Sequence, residues 1–232
     1  LPGSLERSYF KDCVIGGTAS EHPFKVSLLG IAADGGDGIY AIGDGEVRIF
    51  HLDGKPLRRF KAPQNASCLT VHPDNRVLVG VRGRVEIYDA VGNHAGGFAA
   101  GEAGRPAEIT AIKVYGAEIL VADAAARYIR RYDWKGKPLG GIGARNKNKG
   151  FLLPNRTLDM DIDAAGIIRV ADCGRHRVSS WTLEGAPLGH FGKFGQTRPE
   201  DFVGCCNPVN VAVTPDGKIV TAEKVAARVK IY

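Results

Sequence analysis

Two adjacent thiols, Cys205 and Cys206, stand in the stretch Gly204-Cys-Cys-Asn-Pro208. Neighbouring cysteines can close a tight, distorted disulfide ring that serves as a rigid platform or redox element. They can instead hold a soft metal such as Cu(I), although no second ligand set is visible. They can also simply shape a turn, both sulfurs buried as small apolar groups. A second constellation is Asp159, Asp161 and Asp163 in the segment TLDMDID at 157–163. Strand alternation puts all three on one side. Carboxylates so placed beside a cleft suit Ca²⁺ or a general acid/base pair. The alternative is that each pairs with an arginine or accepts backbone N–H bonds, with Asp163 a turn acid. The third set is ionic: Asp123 with Arg127, Asp172 with Arg177 and Glu223 with Arg228. Because these pairs recur by position, they read as scaffolding. Arg175, His176 and Lys224 project from the same turns. With Asn210, Cys205 and Cys206 they are the candidates for contacting a ligand. No HExxH, GxSxG or nucleophile-plus-base spacing occurs, so no catalytic residue is assigned.

The elements that must position these residues come from a repeat. A turn and strand recur as LDGKPLRRF (52–60), AVGNHAGGF (90–98), WKGKPLGGIG (134–143) and LEGAPLGHFG (183–192). The turn glycines Gly54, Gly92, Gly136 and Gly185 are 38, 44 and 49 residues apart. A period of this length means stacked units that bury their apolar faces only against each other. Each unit divides into four short strands joined by tight turns, as an antiparallel meander. Repeated radially, such meanders are the blades of an all-β propeller. Blades are expected at 28–62, 66–99, 108–143, 155–195 and 207–232, the last incomplete. In an up-and-down blade the turn from second to third strand lies at the same end as the loop between blades. The positions after Asp44, Arg82, Asp123, Asp172 and Glu223 therefore share one rim with the loops 61–66, 100–107, 144–156 and 196–208. That rim, around the central channel, is the expected binding site.

VADCGRHRV (170–178), followed by LEGAPLGHFG, resembles the NHL repeat: a strand ending in Val-Ala-Asp, a short polar loop, then Arg-Val opening the next strand. VADAAARYI (121–129) and VTAEKVAARVKIY (220–232) are weaker copies, and the resemblance covers residues 28–232. FVGCCNPVNVAVTPDGKIVTAEK is similar to a subgroup of uncharacterised, often exported bacterial NHL-repeat proteins carrying Gly-Cys-Cys-Asn-Pro. The resemblance implies a six-bladed ring, here truncated in or after blade five. The alternative is a closed five-bladed ring in which residues 1–27, through SYFKDCVIGG, supply the closing strand. Six blades need roughly 250 residues, which favours truncation. An unclosed ring exposes strand edges, so an oligomer or complex subunit is expected.

Composition narrows the function classes. With 31 Lys and Arg against 25 Asp and Glu, the net charge is +6, spread over every repeat. The short basic loop at 145–149 is not a continuous stripe set with aromatics, which argues against nucleic acid. None of the five cysteines forms a CxxC pair or finger-like spacing, so a structural zinc is not expected. No run of about eighteen apolar residues crosses a membrane. The expectation is a non-catalytic, extracytoplasmic binding or scaffold module that meets a protein or small ligand on its rim, with no cofactor. The alternatives are a metal-dependent lyase or hydrolase using the channel carboxylates, and a redox or soft-metal accessory protein using the two thiols.

Overall fold

The computed structural model describes residues 14–15, 23–144, 150–224 and 228–232. Cys13, the basic loop at 145–149 and all of residues 1–22 except 14 and 15 lie outside them, as does most of the segment proposed to close the ring. Five antiparallel sheets follow one another along the chain, each strand hydrogen-bonded to the next in sequence. Blade one contains Gly30–Ala33, Gly38–Gly43, Glu46–His51 and Pro56–Lys61. Blade two contains Ala66–Val71, Val77–Val81, Arg84–Tyr88 and His94–Ala99. Blade three contains Ile109–Tyr115, Glu118–Asp123, Tyr128–Asp133 and Pro138–Ile142. Blade four contains Asp159–Ile162, Ile168–Asp172, Arg177–Trp181 and Pro187–Phe191. Blade five has three strands, Asn210–Val213, Ile219–Glu223 and Arg228–Ile231. This is a β-propeller of four-stranded antiparallel blades.

The repeated phrase earns its glycine at the turn into each outer strand. Gly54, Gly92, Gly136 and Gly185 all have positive φ, between 80° and 93°. In blades two and three the preceding acids, Asp89 and Asp133, each accept two backbone N–H bonds across the turn. The side chain locks the loop while glycine alone takes the left-handed conformation without strain.

Apolar side chains from successive sheets form one layer between each pair of neighbours. Blades one and two share Tyr40, Ile42, Val47, Val77 and Val79. Blades two and three share Leu78, Val85, Ile109 and Ile119. Blades three and four share Leu120, Ile129, Met160 and Ile168. The layer between four and five is the smallest, built on Ala171, Val178, Phe202 and Val211. Each inner strand packs beside the inner strand of the next blade. At the two ends of the series the sheets carry exposed apolar residues, Ile31 (69 %) on blade one and Val229 (67 %) on blade five. Residues 23–27, at the end of the N-terminal segment, lie over blade one. The N–H groups of Lys25, Val26 and Ser27 donate to the Asp44 carboxylate, and Arg48 donates to the Pro23 carbonyl.

Candidate functional site

The second-to-third-strand turns and the inter-blade loops do share a rim. Ala62 N–H donates to Gly45, Gly83 N–H to Ala107, and Gly174 N–H to Leu152. In every blade but the second, where Arg82 stands instead, the acid at the end of the second strand accepts N–H groups from the loop entering its own blade. Asp44 takes three, Asp123 that of Glu108, Asp172 that of Leu152, and Glu223 that of Val203. A guanidinium completes the junction. Asp172 accepts from Arg177 Nε at 3.0 Å, and Glu223 from Arg228 Nε at 2.7 Å. In blade three the expected partner is corrected: Asp123 bonds Arg130 Nε at 2.7 Å, not Arg127. The ladder sets Tyr128, not an arginine, opposite Asp123. Arg127 sits in the turn with φ 55°, while Arg130, two residues beyond Tyr128, shares the acid's face.

Asp159 and Asp161 reach from the inner strand of blade four to that of blade five. Asp159 Oδ2 accepts from Val211 N–H at 3.0 Å and Asn210 Nδ2 at 3.1 Å. Asp161 Oδ2 accepts from Val213 N–H at 2.8 Å, while its Oδ1 faces Lys113 of blade three at 2.9 Å. Burial raises the Asp159 carboxyl above its usual range, against the pull of Val211 N–H, Lys113 and Asn210. Asp163 is a turn acid, accepting from Ala165 and Ile167 N–H. Ser67 and Thr110 make equivalent crossings, donating to the carbonyls of Ile109 and Leu158 in the next blade. Among the described residues no group of three or more His, Cys, Asp or Glu is disposed to hold a metal ion.

The remaining chemistry gathers on the rim between blades four and five. After Asp172 the chain makes a 3₁₀ turn, Cys173–Arg175, and His176 follows in the left-handed region at φ 55°. The returning loop first pairs Lys193–Phe194 with Asp201–Phe202. It is knotted by Asp201, whose Oδ2 accepts from Thr197 N–H, Thr197 Oγ1 and Arg198 N–H. Phe202 is fully buried beneath it. His176 Nε2–H donates to Gly204 O at 2.9 Å. The buried Asn207 side chain donates to Val203 O at 2.6 Å and accepts from Lys224 N–H at 3.0 Å. Between those clamps Cys205 is exposed, Cys206 is buried at φ 63°, and their sulfurs are 2.8 Å apart.

The six rim candidates therefore divide. Arg175 donates to Asp172, His176 holds the cysteine loop, and Asn210 is bonded to Asp159. Lys224 and Cys205 face solvent, and Cys206 is buried. Sequence reasoning missed Phe194, 63 % exposed with its ring 5.1 Å from that of His176. An aromatic inside the long loop before blade five was the available signal. Also missed was a polar hollow of about 650 Å³ on the rim of blade one, lined by Lys25, Asp44, Glu46, Arg48, Arg59 and Gln64.

Compared by sequence, the chain matches no protein-family model and no curated protein. By structure it is similar to a protein of unknown function from Bacteroides caccae, with a TM-score of 0.65 and 17 % identity over 87 % of this chain and 73 % of that one. It is similar to virginiamycin B lyase from Staphylococcus aureus, with a TM-score of 0.60 and 14 % identity over 88 % and 69 %. A third likeness is to the extracellular domain of a hybrid two-component system from B. thetaiotaomicron, with a TM-score of 0.57 and 15 % identity over 84 % and 25 %. The fold is a β-propeller. Among the described residues no helix is long and apolar enough to cross a membrane.

Proposed function

We propose that this chain is an NHL-type propeller working outside the cytoplasm as a binding or scaffold module. It engages a protein or small ligand through the rim between blades four and five. The observation that carries the reading is a division of labour. The acids Asp123, Asp159, Asp161, Asp172 and Glu223 are committed to N–H groups and cations of the framework. Phe194 and Cys205 are left exposed on a loop anchored at both ends, and Lys224 is exposed in the turn after the second strand of blade five. An exposed aromatic on a rigidly held loop, with an exposed cation on the same rim, is the composition of a recognition surface. The NHL attribution rests on the acid–arginine junctions of blades four and five, and the location on the likeness to an extracellular domain.

A metal-dependent lyase using Asp159 and Asp161 is the competing reading, favoured by the fold of virginiamycin B lyase. Against it stands the occupation of both Oδ2 atoms by blade-five N–H donors. Amide NMR titration with a panel of acidic and aromatic peptides separates the two. Binding at the rim shifts residues 173–176, 193–194, 203–206 and 224 together, and the pair Phe194→Ala with Lys224→Ala abolishes the shifts without lowering the melting temperature. Shifts centred on Asp159 and Asp161 that require a divalent ion would replace this reading with the enzyme.

A further inference from the structure

The Cys205–Cys206 pair has a use that ligand binding does not require. We propose that it is a dithiol site that exchanges reversibly with low-molecular-weight disulfides of the glutathione class. This proposal is independent of the binding reading.

Three features of the geometry support it. The loop cannot splay the two sulfurs apart: His176 holds the carbonyl of Gly204 on one side, and Asn207 ties Val203 O to Lys224 N–H on the other. The thiols are in contact at 2.8 Å, unbonded, and differ in access, Cys205 exposed and Cys206 4 % exposed. That asymmetry makes Cys205 the attacking group and Cys206 the resolving one. Burial, with the touching Cys205 sulfur, raises the Cys206 thiol above its usual range, and Lys224 opposes the shift. Finally, residues joined by a trans peptide have Cα atoms about 3.8 Å apart. Ordinary disulfides span roughly 4.4–6.8 Å between Cα atoms. A bridge here is strained and easily reduced, which suits exchange and not permanent stapling.

The exchange balances in two steps. The Cys205 thiol gives its proton to solvent, and the thiolate attacks one sulfur of the small disulfide. That S–S bond breaks, and one small thiolate leaves and takes up a proton. The Cys206 thiolate, its proton also lost to solvent, then attacks the Cys205 sulfur of the mixed disulfide and expels the second small thiolate, which is protonated in turn. Two protein thiols are oxidised by two electrons, and one small disulfide is reduced to two thiols. An excess of the small thiol runs both steps backwards. The third nearby thiol does not compete. Cys173 is buried against Asn155 Oδ1 at 3.2 Å, and burial, with Cys206 and Asp172 nearby, pushes it up to about 12. Cys68, elsewhere in the core, is likewise pushed up to about 12 by burial.

The full chain is equilibrated in mixtures of reduced and oxidised glutathione, quenched with acid, unfolded and alkylated, and mapped by peptide mass. The expected result is that oxidising mixtures remove both alkylation sites from the peptide holding Cys205 and Cys206, that this peptide loses two hydrogens, and that reducing mixtures restore it. Cys206→Ser traps one glutathione on Cys205, and Cys205→Ser traps none on Cys206. Both thiols remaining alkylatable in the oxidising mixtures would overturn the proposal. So would a bridge from either cysteine to Cys173 or Cys13. The wild-type result decides the matter alone if either variant fails to fold.

Discussion

Asp161 separates a framework role from a metal site, because the two roles rank its substitutions differently. Asp161→Ala removes a charged acceptor from Val213 N–H at 2.8 Å and a partner from Lys113 at 2.9 Å. A hydrogen bond to a charged group is worth about 1.5–3 kcal/mol, and leaving the donor unpaired forfeits that amount. The Lys113 pair is partly solvated, with 32 % of the lysine side chain exposed, and adds about 0–1 kcal/mol. The sum is about 2–4 kcal/mol. It falls on blade five, whose apolar layer against blade four is the smallest among the described residues. Hydrogen exchange is the appropriate assay because it reads local opening. Amides of Asn210–Val213 and Ile219–Glu223 should exchange about 30- to 700-fold faster, at tenfold for each 1.4 kcal/mol. Amides of blades one to three should not change. Asp161→Asn keeps an oxygen for Val213 N–H but makes that bond neutral and loses the lysine pair, so its effect should stay within about 2 kcal/mol and below that of alanine. A metal ligand behaves otherwise, since asparagine and alanine would both remove the charge that binds the ion. If the asparagine variant is as damaged as the alanine variant, or if a chelator reproduces the damage in the wild type, the framework account is refuted.

Arg130→Ala should cost about 3 kcal/mol by leaving the buried Asp123 carboxylate without its cation. Arg127→Ala should fall within about 0.5 kcal/mol, and urea melts that reversed this order would contradict the corrected pairing. Burial pulls Glu223 upward, but bonds from Arg228, Lys230 and Val203 N–H hold it below the usual carboxylate range. Its stabilisation is therefore complete above its unfolded pKa of about 4.3 and is lost as pH falls through the lower folded value. Glu223→Gln should be about 1–3 kcal/mol less stable than wild type at pH 7. That gap should close as the pH is taken below about 4, and a gap that widened in acid would refute the assignment.

The blades were legible because their signal is local. An acid, a glycine and a strand on each side recur within ten residues, and the conformation they need is set by their own φ and side-chain bonds. The acid–arginine junctions were half legible. Arg177 and Arg228 each lie five residues after their acid, opposite it in the ladder. In blade three the fifth residue is Tyr128, and counting from it along the strand face reaches Arg130; taking the nearest arginine in sequence reached Arg127. The carboxylates show the limit more sharply. Alternation put Asp159 and Asp161 on one face, but each accepts from a backbone N–H some fifty residues away, and a backbone N–H has no signature in a sequence. Ser67 and Thr110, near the heads of two earlier inner strands, make the same crossing with hydroxyl groups, so the carboxylates extend an existing series.

That series explains why the exposed groups collect between blades four and five. Between the earlier blades large aliphatic side chains fill most of the gap, with one hydroxyl crossing, from Ser67 or Thr110, at the second and third junctions. At the last junction fewer apolar groups are available, and directional bonds take over: Asp159 to Val211, Asp161 to Val213, Val203 N–H to Glu223, and Lys230 to the Asp201 carbonyl. Apolar contacts are non-directional and tolerate small displacements, whereas hydrogen bonds weaken steeply with angle. A junction made of them fixes orientation more tightly than its buried area would. The long loop spanning that junction inherits the orientation through Phe202, Asn207 and His176, which lets its outer residues Phe194 and Cys205 remain exposed without losing their positions.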